Sequence, residues 1–514
     1  MVKKISSLLL IISILLATAP TAMAIGDIFS TISGGSSHTT AITSSGSLWT
    51  WGENFTGQLG NGTVAAKYEP TKIMDGAIAV SAGTSHTTAI TSDGSLWAWG
   101  WNLDGQLGDG TTANRLTPTK IMDGAIAVSA GASHTTAITS DGSLWTWGYN
   151  QYGQLGDGTT VNKLTPTKIM DDVIAVSASL GHTTAITSDG SLWAWGWNRE
   201  GLLGDGTTVN KLKPTKIMGG VIAVSAGYYH TTAITADGSL WTWGSNRYGL
   251  LGDDSNEPKL TPTKIMNDVV AVSAGYHYTT VITSDGSLWA WGYNQYGQLG
   301  IKEVWTIQYK LTPTKIMDNV IAVSASESHV TAIASDGSLW AWGQNGARLG
   351  DGGTANKRTP VKIMDGVRLP STSITSTPIA PTVLINGKSI TFDAYNINDN
   401  NYFKLRDIAY ILSGTGKQFS VDWIASSNAI SLTSGKPYTA VGGEMESGGT
   451  EAKIPTQTDS KIMLDGKEVS FTAYNIDGNN YFKLHDIGKA LDFAVDWDGA
   501  QNTIVIDTSK GYTE

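Results

Sequence analysis

Residues 126–170 read IAVSAGASHTTAITSDGSLWTWGYNQYGQLGDGTTVNKLTPTKIM, and close copies of this stretch recur along most of the 514-residue chain. Each copy contains a Leu-Trp-x-Trp-Gly motif. Its second Trp stands at Trp51, Trp99, Trp147, Trp195, Trp243, Trp291 and Trp342. Five intervals are 48 residues and the last is 51, because of a short insertion around Ile301 to Lys310. This regular period indicates seven copies of one structural repeat.

Each copy contains four stretches with the composition of short β-strands. In the copy quoted above they are Ile126 to Ala130, His134 to Thr139, Leu144 to Trp147 and Thr165 to Ile169. Asp141-Gly142, between the second and third stretches, is a strong hairpin signal. Four strands in 48 residues match one propeller blade, so the sequence predicts a mainly β fold with a seven-bladed β-propeller over residues 25–368. A helical solenoid is the alternative, which the density of Gly, Thr and Trp disfavours.

These repeats resemble the regulator-of-chromosome-condensation repeat family. The second copy carries the family signature as Ala82-Gly83, His86, Asp93-Gly94, Trp99-Gly-Trp-Asn102 and Gly105-Gln-Leu-Gly108. The resemblance extends over residues 27 to 368 and implies a seven-bladed propeller. Three local departures occur in the sixth and seventh copies: Tyr278 replaces the His, Ile301 replaces the Asp of Gly-Asp-Gly, and the seventh copy is shortened at Gly346.

The N-terminus and the composition predict a secreted protein. Lys3 and Lys4, the apolar run Leu8 to Leu16, and Ala22-Met-Ala24 follow the order of a signal peptide (residues 1–24), with cleavage expected after Ala24. An uncleaved anchor is the alternative. The net charge of −10 argues against nucleic acid as a partner, and the lack of Cys excludes disulfides and thiolate sites. No later run is apolar enough to cross a membrane. We expect an extracellular or loosely surface-associated bacterial protein that is not embedded in the membrane.

A second duplication follows a Ser-, Thr- and Pro-rich stretch, 369–382, whose composition predicts a linker. Its halves, 383–438 and 461–514, share Ala-Tyr-Asn-Ile, Asn-Tyr-Phe-Lys-Leu-x-Asp and Val-Asp-Trp, and Gly442 to Ser460 is expected to be a flexible joint between them. Each half has the pattern of strands around one short helix, which predicts a small α+β domain over 383–514. The region resembles the copper amine oxidase N-terminal-like domain, or stalk domain, of secreted bacterial proteins. That resemblance implies a non-catalytic appendage, because one His and the Tyr-Phe pairs at Tyr402 and Tyr481 do not supply a copper site.

The recurring polar residues do not predict a catalytic or metal centre. One His per blade places these residues around a ring, too far apart to share an ion: His38, His86, His134, His182, His230 and His329. A structural role, such as a bond to a neighbouring loop carbonyl, explains them better. Five acids are unique within the repeats and form no evident acid–base pair: Glu53, Glu200, Glu257, Glu303 and Glu327. We predict that the protein is not an enzyme and assign it no catalytic residue, metal or cofactor.

Positions that vary between the copies mark the candidate site. In an antiparallel blade the first-to-second and third-to-fourth loops emerge on one face, whereas the Asp-Gly turns and Met-Asp loops emerge on the other. The variable aromatic residues fall on the first face, and exposed Trp and Tyr are typical of binding hot spots. The predicted ligand-binding face comprises Trp101, Tyr149, Tyr152, Trp197, Tyr228, Tyr229, Tyr248, Tyr276, Tyr293 and Tyr296. The alternative is that these aromatic rings cap the blades and bind no ligand. Turn chemistry explains the acidic residues of the other face, with a weak cation site as the alternative.

These observations predict a secreted, non-catalytic binding protein. Its propeller face would recognise an extracellular protein or a cell-wall glycan, and the C-terminal domain would act as a spacer or cell-surface module. Inhibition of a secreted enzyme is the alternative, because the family resemblance includes a secreted bacterial propeller that inhibits β-lactamases. A carbohydrate-active enzyme is a further alternative. Guanine nucleotide exchange, for which the repeat family is best known, conflicts with the predicted signal peptide.

Overall fold

Four-stranded antiparallel sheets, seven in the residues described, build the first of the two units into which the chain divides, Met1–Thr372 and Ser373–Glu514. The computed structural model describes residues 30–302, 308–369, 377–379, 381–397, 400–424, 427, 429–445, 456–457, 461–469, 471, 473–476, 479–498 and 503–512. The predicted signal peptide, Glu303 and most of the predicted linker lie outside these residues.

Within each sheet of the first unit the strands follow one another in chain order. The first four sheets contain β1–β4 (Ile32–Gly34, His38–Ile42, Leu48–Gly52, Lys67–Met74), β5–β8 (Ala77–Ala82, His86–Thr91, Leu96–Gly100, Arg115–Met122), β9–β12 (Ala125–Ala130, His134–Thr139, Leu144–Gly148, Lys163–Met170) and β13–β16 (Val173–Ala178, His182–Thr187, Leu192–Gly196, Lys211–Met218). The other three contain β17–β20 (Val221–Ala226, His230–Thr235, Leu240–Gly244, Lys259–Met266), β21–β24 (Val269–Ala274, Tyr278–Thr283, Leu288–Tyr293, Tyr309–Met317) and β25–β28 (Val320–Ala325, His329–Ala334, Leu339–Gly343, Lys357–Met364). We refer to the sheets as blades 1 to 7.

Turn residues fix the hairpin between the second and third strands of each blade. In blade 2, one carboxylate oxygen of Asp93 accepts hydrogen bonds from the Thr91 hydroxyl at 2.6 Å and the Ser95 amide at 3.1 Å. Its other oxygen accepts the Ser95 hydroxyl at 3.0 Å, and Gly94 adopts a φ of +77°. The carboxylate is therefore used to close its own turn, which accounts for the acidic residues of the Asp-Gly turns. The acidic residues of the Met-Asp loops pair instead with a Lys three positions earlier.

The hydrophobic core lies between neighbouring blades. The second Trp of each motif is fully buried, and in blade 3 Trp147 packs with Leu96 and Ile90 of blade 2. Gly108, at a φ of +82°, lies so close to this indole that an added Cβ would stand 2.6 Å from Trp147 Nε1. The glycine that ends each Gly-x-Leu-Gly motif is thus required both by the backbone conformation and by the neighbouring Trp.

Two rings of hydrogen bonds join each blade to the next and close between blades 7 and 1. In the inner ring a first-strand Ser accepts a backbone N–H of its neighbour at 2.9–3.1 Å, and the Gly34 amide closes the ring on Ser324. In the outer ring the buried Trp Nε1 donates to a loop carbonyl of the preceding blade at 2.9–3.0 Å, and Trp51 closes the ring on Arg348 O. The ring is therefore closed by side chains as well as by sheet packing.

The recurring histidines form an intermediate ring. In six of seven blades His Nε2 lies 2.8–3.0 Å from a Thr hydroxyl of the next blade. In blades 1 and 2, for example, the Thr87 hydroxyl donates its own hydrogen to Gln58 O at 2.7 Å, so His38 donates from Nε2. Burial lowers the pKa of His38 to about 3, so its ring is neutral. The structural role predicted for these histidines is thus observed, but their partner is a hydroxyl that relays the bond to the loop carbonyl.

Tyr278 replaces this histidine in blade 6, and the structure explains the exchange. The residue that should supply the Thr hydroxyl in blade 7 is Val330, which has none. The Tyr278 hydroxyl extends past it and donates to His329 O at 2.7 Å. The two departures from the repeat therefore compensate for each other across one interface.

The second unit is a small α+β structure. Its strands are β29 (Thr377–Ile379), β30 (Thr382–Ile385), β31 (Lys388–Thr391), β32 (Ala394–Ile397), β33 (Asn400–Lys404), β34 (Phe419–Ile424), β35 (Ala429–Ser434), β36 (Thr456–Gln457), β37 (Lys461–Leu464), β38 (Lys467–Val469), β39 (Ala473–Ile476), β40 (Asn479–Lys483), β41 (Ala494–Asp498) and β42 (Thr503–Asp507), and its helices are α1 (Leu405–Leu412) and α2 (Leu484–Leu491). Strand β29 pairs with β32, so part of the predicted linker belongs to the folded unit.

The two halves of this unit exchange strands. Strand β30 of the first half pairs in parallel with β42 of the second, and β35 of the first pairs in parallel with β37 of the second. Strands β33 and β40 pair antiparallel, with Phe403 opposite Phe482. Both phenylalanines belong to a single hydrophobic core that includes α1 and α2. The halves are similar in sequence but share one core.

Candidate functional site

The loops that carry the variable aromatic residues are held rigidly by the repeated frame. In blade 3 the Asn150 side chain donates to Asp157 Oδ1, Thr159 O and Val161 O at 3.1 Å, and it accepts the Leu155 amide at 2.9 Å. This one side chain therefore fixes the long loop between β11 and β12. Its neighbours Tyr149 and Tyr152 are displayed from a fixed backbone.

Eleven aromatic rings of blades 3 to 6 form one continuous series of ring contacts, which we call the aromatic arc. It comprises Tyr149, Tyr152, Trp197, Tyr228, Tyr229, Tyr248, Tyr276, His277, Tyr293, Tyr296 and Tyr309. Tyr152 stacks on Trp197 with ring centroids 5.7 Å apart, and Trp197 meets Tyr229 edge-on at 6.0 Å. Tyr229 in turn stacks on the His277 ring at 4.9 Å with an interplanar angle of 8°. All of these residues stand on first-to-second or third-to-fourth loops or at the adjoining strand ends.

Nine of the ten predicted face residues lie in the arc, and Trp101 does not. Trp101 is partly buried in blade 2, where its amide donates to Ser85 O at 2.8 Å. It makes no ring contact with another aromatic side chain among the residues described. Phe55 of blade 1 and Leu103 of blade 2 are exposed nearby on the same class of loop, at 78% and 62%. The aromatic surface is thus concentrated on four blades rather than spread around the face.

Two members of the arc are absent from the predicted set. His277 adjoins Tyr276 in a loop that varies between the repeat copies, so a comparison of the copies points to it. It is absent from the predicted set because that set contains only Tyr and Trp. Burial, with the nearby charge of Arg247, lowers the pKa of His277 to about 4, so it is a neutral ring at pH 7. Tyr309 begins β24 after the insertion and reaches Tyr248 at 6.4 Å. It precedes the Lys that pairs with the Gly of the Trp motif, a position held by an Asn in blades 2, 3, 4 and 7. The exchange of that Asn for Tyr is the signal that could have pointed to it.

The innermost residues of this face surround the mouth of the central channel. They stand two positions before the His of each blade and are Ser36, Thr84, Ala132, Leu180, Tyr228, Tyr276 and Glu327. Tyr228 of blade 5 crosses the axis, and its hydroxyl lies 2.9 Å from Ser36 Oγ and 3.0 Å from Thr84 Oγ1 in blades 1 and 2. The channel behind it has a volume of about 270 Å³ and is lined by the Ser and Ala residues of the first strands. Tyr228 therefore closes much of this mouth.

The acids singled out from the sequence do not form a catalytic pair in the parts of the chain described. Glu327 lines the channel mouth and is the one acid among the channel residues. Glu200 and Glu257 are exposed on outer loops, and Glu53 follows the Trp-Gly motif of blade 1. Among the described residues, no three His, Asp or Glu side chains are placed to hold one metal ion. Within the same residues, no helix has the length and apolar character needed to span a membrane.

The chemistry available on this face is that of a contact surface. Partly buried rings offer large apolar area at low conformational cost, with hydroxyls at their edges for hydrogen bonds. Stacked pairs such as Tyr152 and Trp197 can accept a planar or apolar group from a ligand. Arg247 lies over the Tyr248 ring, 5.4 Å from its centroid, so one ring of the arc already carries a cation.

Comparison with known proteins gives the same architecture. Human WBSCR16 is 23% identical and has a TM-score of 0.56 over 62% of this chain and 94% of its own. Prp20p from Saccharomyces cerevisiae is 22% identical, with a TM-score of 0.56 over 62% of this chain and 85% of its own. Yeast RCC1 (Prp20) bound to Kap60 is 20% identical, with a TM-score of 0.57 over 71% and 90%. No curated protein sequence matches significantly.

Family models identify the repeats directly. Models of the regulator of chromosome condensation (RCC1) repeat match residues 29–58 and 45–90. The model of the RCC1-like domain matches residues 75–378, which is more than half of the chain. The mainly β architecture predicted from the sequence is confirmed, and the chain belongs to the RCC1-like domain family.

Proposed function

We propose that this chain is a secreted, non-catalytic recognition protein whose aromatic arc binds an extracellular partner, either a protein or a cell-wall glycan. The observation that carries the proposal is the arc itself. Eleven rings gather on one face of four adjacent blades, at positions that vary while the surrounding frame is repeated. Clustered Tyr and Trp at fixed positions is the composition of binding hot spots.

A protein is the favoured partner. RCC1-like propellers usually mediate protein binding, and Prp20p is described with its binding to Gsp1p and histones and in complex with Kap60. Secretion would replace such partners with extracellular ones. A seven-bladed propeller followed along the chain by a copper amine oxidase N-terminal-like domain fits this proposal, with the strand-exchanged C-terminal unit as spacer or surface module. A secreted enzyme that this face inhibits is the alternative identity of the partner.

Catalysis on glycans is the less favoured candidate. Glycoside hydrolysis generally uses two carboxyl groups that flank one bond. Glu327 is the one acid among the residues that line the channel, and Tyr228 stands across the mouth beside it. Binding at the surface of the face needs no entry into this channel.

The proposal is tested by substituting the arc in the full chain. The triple variant Trp197→Ala, Tyr229→Ala and Tyr248→Ala removes three rings from the part of the arc that lies on blades 4 and 5. The matched control is Trp101→Ala, Phe55→Ala and Leu103→Ala, which removes similar apolar area from loops outside the arc. Binding is measured on a glycan array and against the secreted proteins of the producing cells.

We expect the wild type and the control to retain the same partner with affinities within about threefold. We expect the affinity of the arc variant for this partner to fall at least about 100-fold, because each hot-spot residue contributes about 2 kcal/mol or more to the free energy of binding. Circular dichroism and thermal unfolding verify that both variants are folded. Equal partner retention by the arc variant and the control would contradict the proposal.

A further inference from the structure

The mouth of the channel brings two tyrosine rings and a carboxylate into successive loops of the propeller. Tyr228, Tyr276 and Glu327 occupy the same repeat position in blades 5, 6 and 7. The loops are linked through the backbone: the Tyr228 amide donates to Gly275 O and the Tyr276 amide donates to Ser326 O, both at 3.3 Å. Glu327 follows Ser326 directly, so its backbone adjoins that of Tyr276.

The rings at this point are packed against one another. The centroids of Tyr228 and Tyr276 are 4.8 Å apart, and Tyr229 stands edge-on to Tyr276 at 5.1 Å with the two hydroxyls 3.2 Å apart. Tyr228 is also held at its far end by Ser36 and Thr84. Three rings therefore keep fixed orientations with little freedom to lose on binding.

The electrostatics of this cluster favour a positive charge. The hydrogen bond with Tyr229 and burial raise the pKa of Tyr276, and the charge of Glu327 adds to the rise. Burial likewise raises the pKa of Tyr228, with a further contribution from Glu327. Glu327 and Tyr228 both line the central channel, so the carboxylate and this ring share one opening. Glu327 itself is exposed and has room to meet a ligand.

We propose that Tyr228, Tyr229, Tyr276 and Glu327 form a cation-recognition site that receives a Lys or Arg side chain of the protein partner. Aromatic faces attract cations through their quadrupole, and a neighbouring carboxylate adds charge and a hydrogen-bond acceptor. The net charge of −10 on the chain also attracts a cationic partner at long range. This inference rests on the proposed function of the arc and names the chemistry that its inner end would select.

The test uses defined probes and the full chain. Capped hexapeptides of Gly and Ser carry one central Arg, Lys, citrulline or norleucine, and binding is followed by isothermal titration at low and moderate salt. We expect the Arg and Lys peptides to bind, and to bind more weakly as salt rises. We expect the citrulline and norleucine peptides to bind at least about fivefold more weakly, because they keep the length but lose the charge.

Variants separate the carboxylate from the rings. Glu327→Gln and Tyr276→Leu should each weaken the Arg peptide at least about fivefold, whereas Tyr276→Phe, which keeps the ring, should retain most of the affinity. Glu200→Gln makes the same charge change on an outer loop of blade 4 and should leave the affinity unchanged. Equal binding of charged and neutral peptides, or equal effects of Glu327→Gln and Glu200→Gln, would overturn the inference.

The natural partner distinguishes this inference from the proposed function. A partner that is lost with the Trp197, Tyr229 and Tyr248 triple variant but retained at full affinity by Glu327→Gln would leave the arc as the binding face and remove the cation site. A partner that is indifferent to the triple variant would remove the proposed function itself.

Discussion

At the residue scale, the departures from the repeat are as informative as the repeat. Tyr278 and Val330 break the His–Thr pattern at the same interface, and the Tyr278 hydroxyl restores the missing bond by a different route. The sequence marks Tyr278 as a departure, but it does not reveal the partner, because the two positions are 52 residues apart and meet only across neighbouring blades.

The compensation can be measured with a double-mutant cycle. Tyr278→His alone should lower the free energy of unfolding by about 1–3 kcal/mol, because the imidazole N–H would face the Val330 methyl groups without a partner. Adding Val330→Thr rebuilds the His–Thr pair of the other blades and should recover most of the loss. Urea unfolding of the four proteins gives the coupling energy, and additive effects within about 0.5 kcal/mol would contradict the compensation.

The ring of buried histidines also predicts a pH dependence of stability. Burial lowers the pKa of His134 to about 3, against an ordinary value of 6.5, and the other ring histidines behave alike with pKa values of about 3 to 4. At pH values between the folded pKa and the unfolded pKa of 6.5, the unfolded chain binds protons at these histidines and the folded chain does not. Stability should therefore be complete above pH 6.5 and fall as the pH decreases towards 4. Each histidine contributes about 2 kcal/mol of this loss between pH 7 and pH 5.

His134→Gln isolates one such group. The variant should be less stable than the wild type at pH 7, because its bond to Thr183 is altered, yet it should lose about 2 kcal/mol less on going from pH 7 to pH 5. Denaturant unfolding at a series of pH values is the measurement. An identical pH dependence for His134→Gln and the wild type would show that this histidine is not buried neutral.

At the element scale, the sequence predicts the strands and helices well but not how the C-terminal halves are joined. The blade strands follow from alternation, Asp-Gly turns and the Trp motif, all of which are local. The pairing of β30 with β42 joins Leu384 to Val505, and no local pattern states that a strand of one half completes a sheet of the other. Repetition within a chain predicts similar halves but leaves open whether each half closes on itself.

Strand exchange predicts the behaviour of a cleaved chain. A protease site inserted between residues 446 and 455 would separate the halves covalently, yet the C-terminal piece should stay bound to the remainder on size exclusion. The parallel pairings of β30 with β42 and of β35 with β37, together with the core that contains Phe403 and Phe482, keep the C-terminal piece bound. It should separate only in denaturant. Val505→Pro, which removes an amide from β42, is expected to weaken the association. A wild-type piece that elutes alone without denaturant would contradict the exchanged arrangement.

At the scale of the whole molecule, the frame and the site are predictable to different degrees. Seven copies, each with the same turn and Trp residues, determine a closed ring in which each blade contacts its neighbours alike. The topology of a four-stranded blade then places the variable loops together, which is why most of the predicted face residues meet in the arc. The sequence marks His277 and Tyr309 as departures from the repeat but does not reveal their contacts with the arc. It also does not reveal that Trp101 stands apart or that Tyr228 crosses the axis. Those outcomes depend on side-chain direction and on contacts between blades.

The most direct test of the central claim is a footprint of the bound partner on the full chain by hydrogen–deuterium exchange. The account predicts slower exchange at the loop amides of residues 197–203, 227–229 and 275–277, next to Trp197, Tyr228 and Tyr276. The Asp-Gly turns of the opposite face, including Asp93-Gly94, should be unchanged. Protection confined to those turns or to residues 383–514, with the arc loops unaffected, would contradict the assignment of the aromatic arc as the recognition surface.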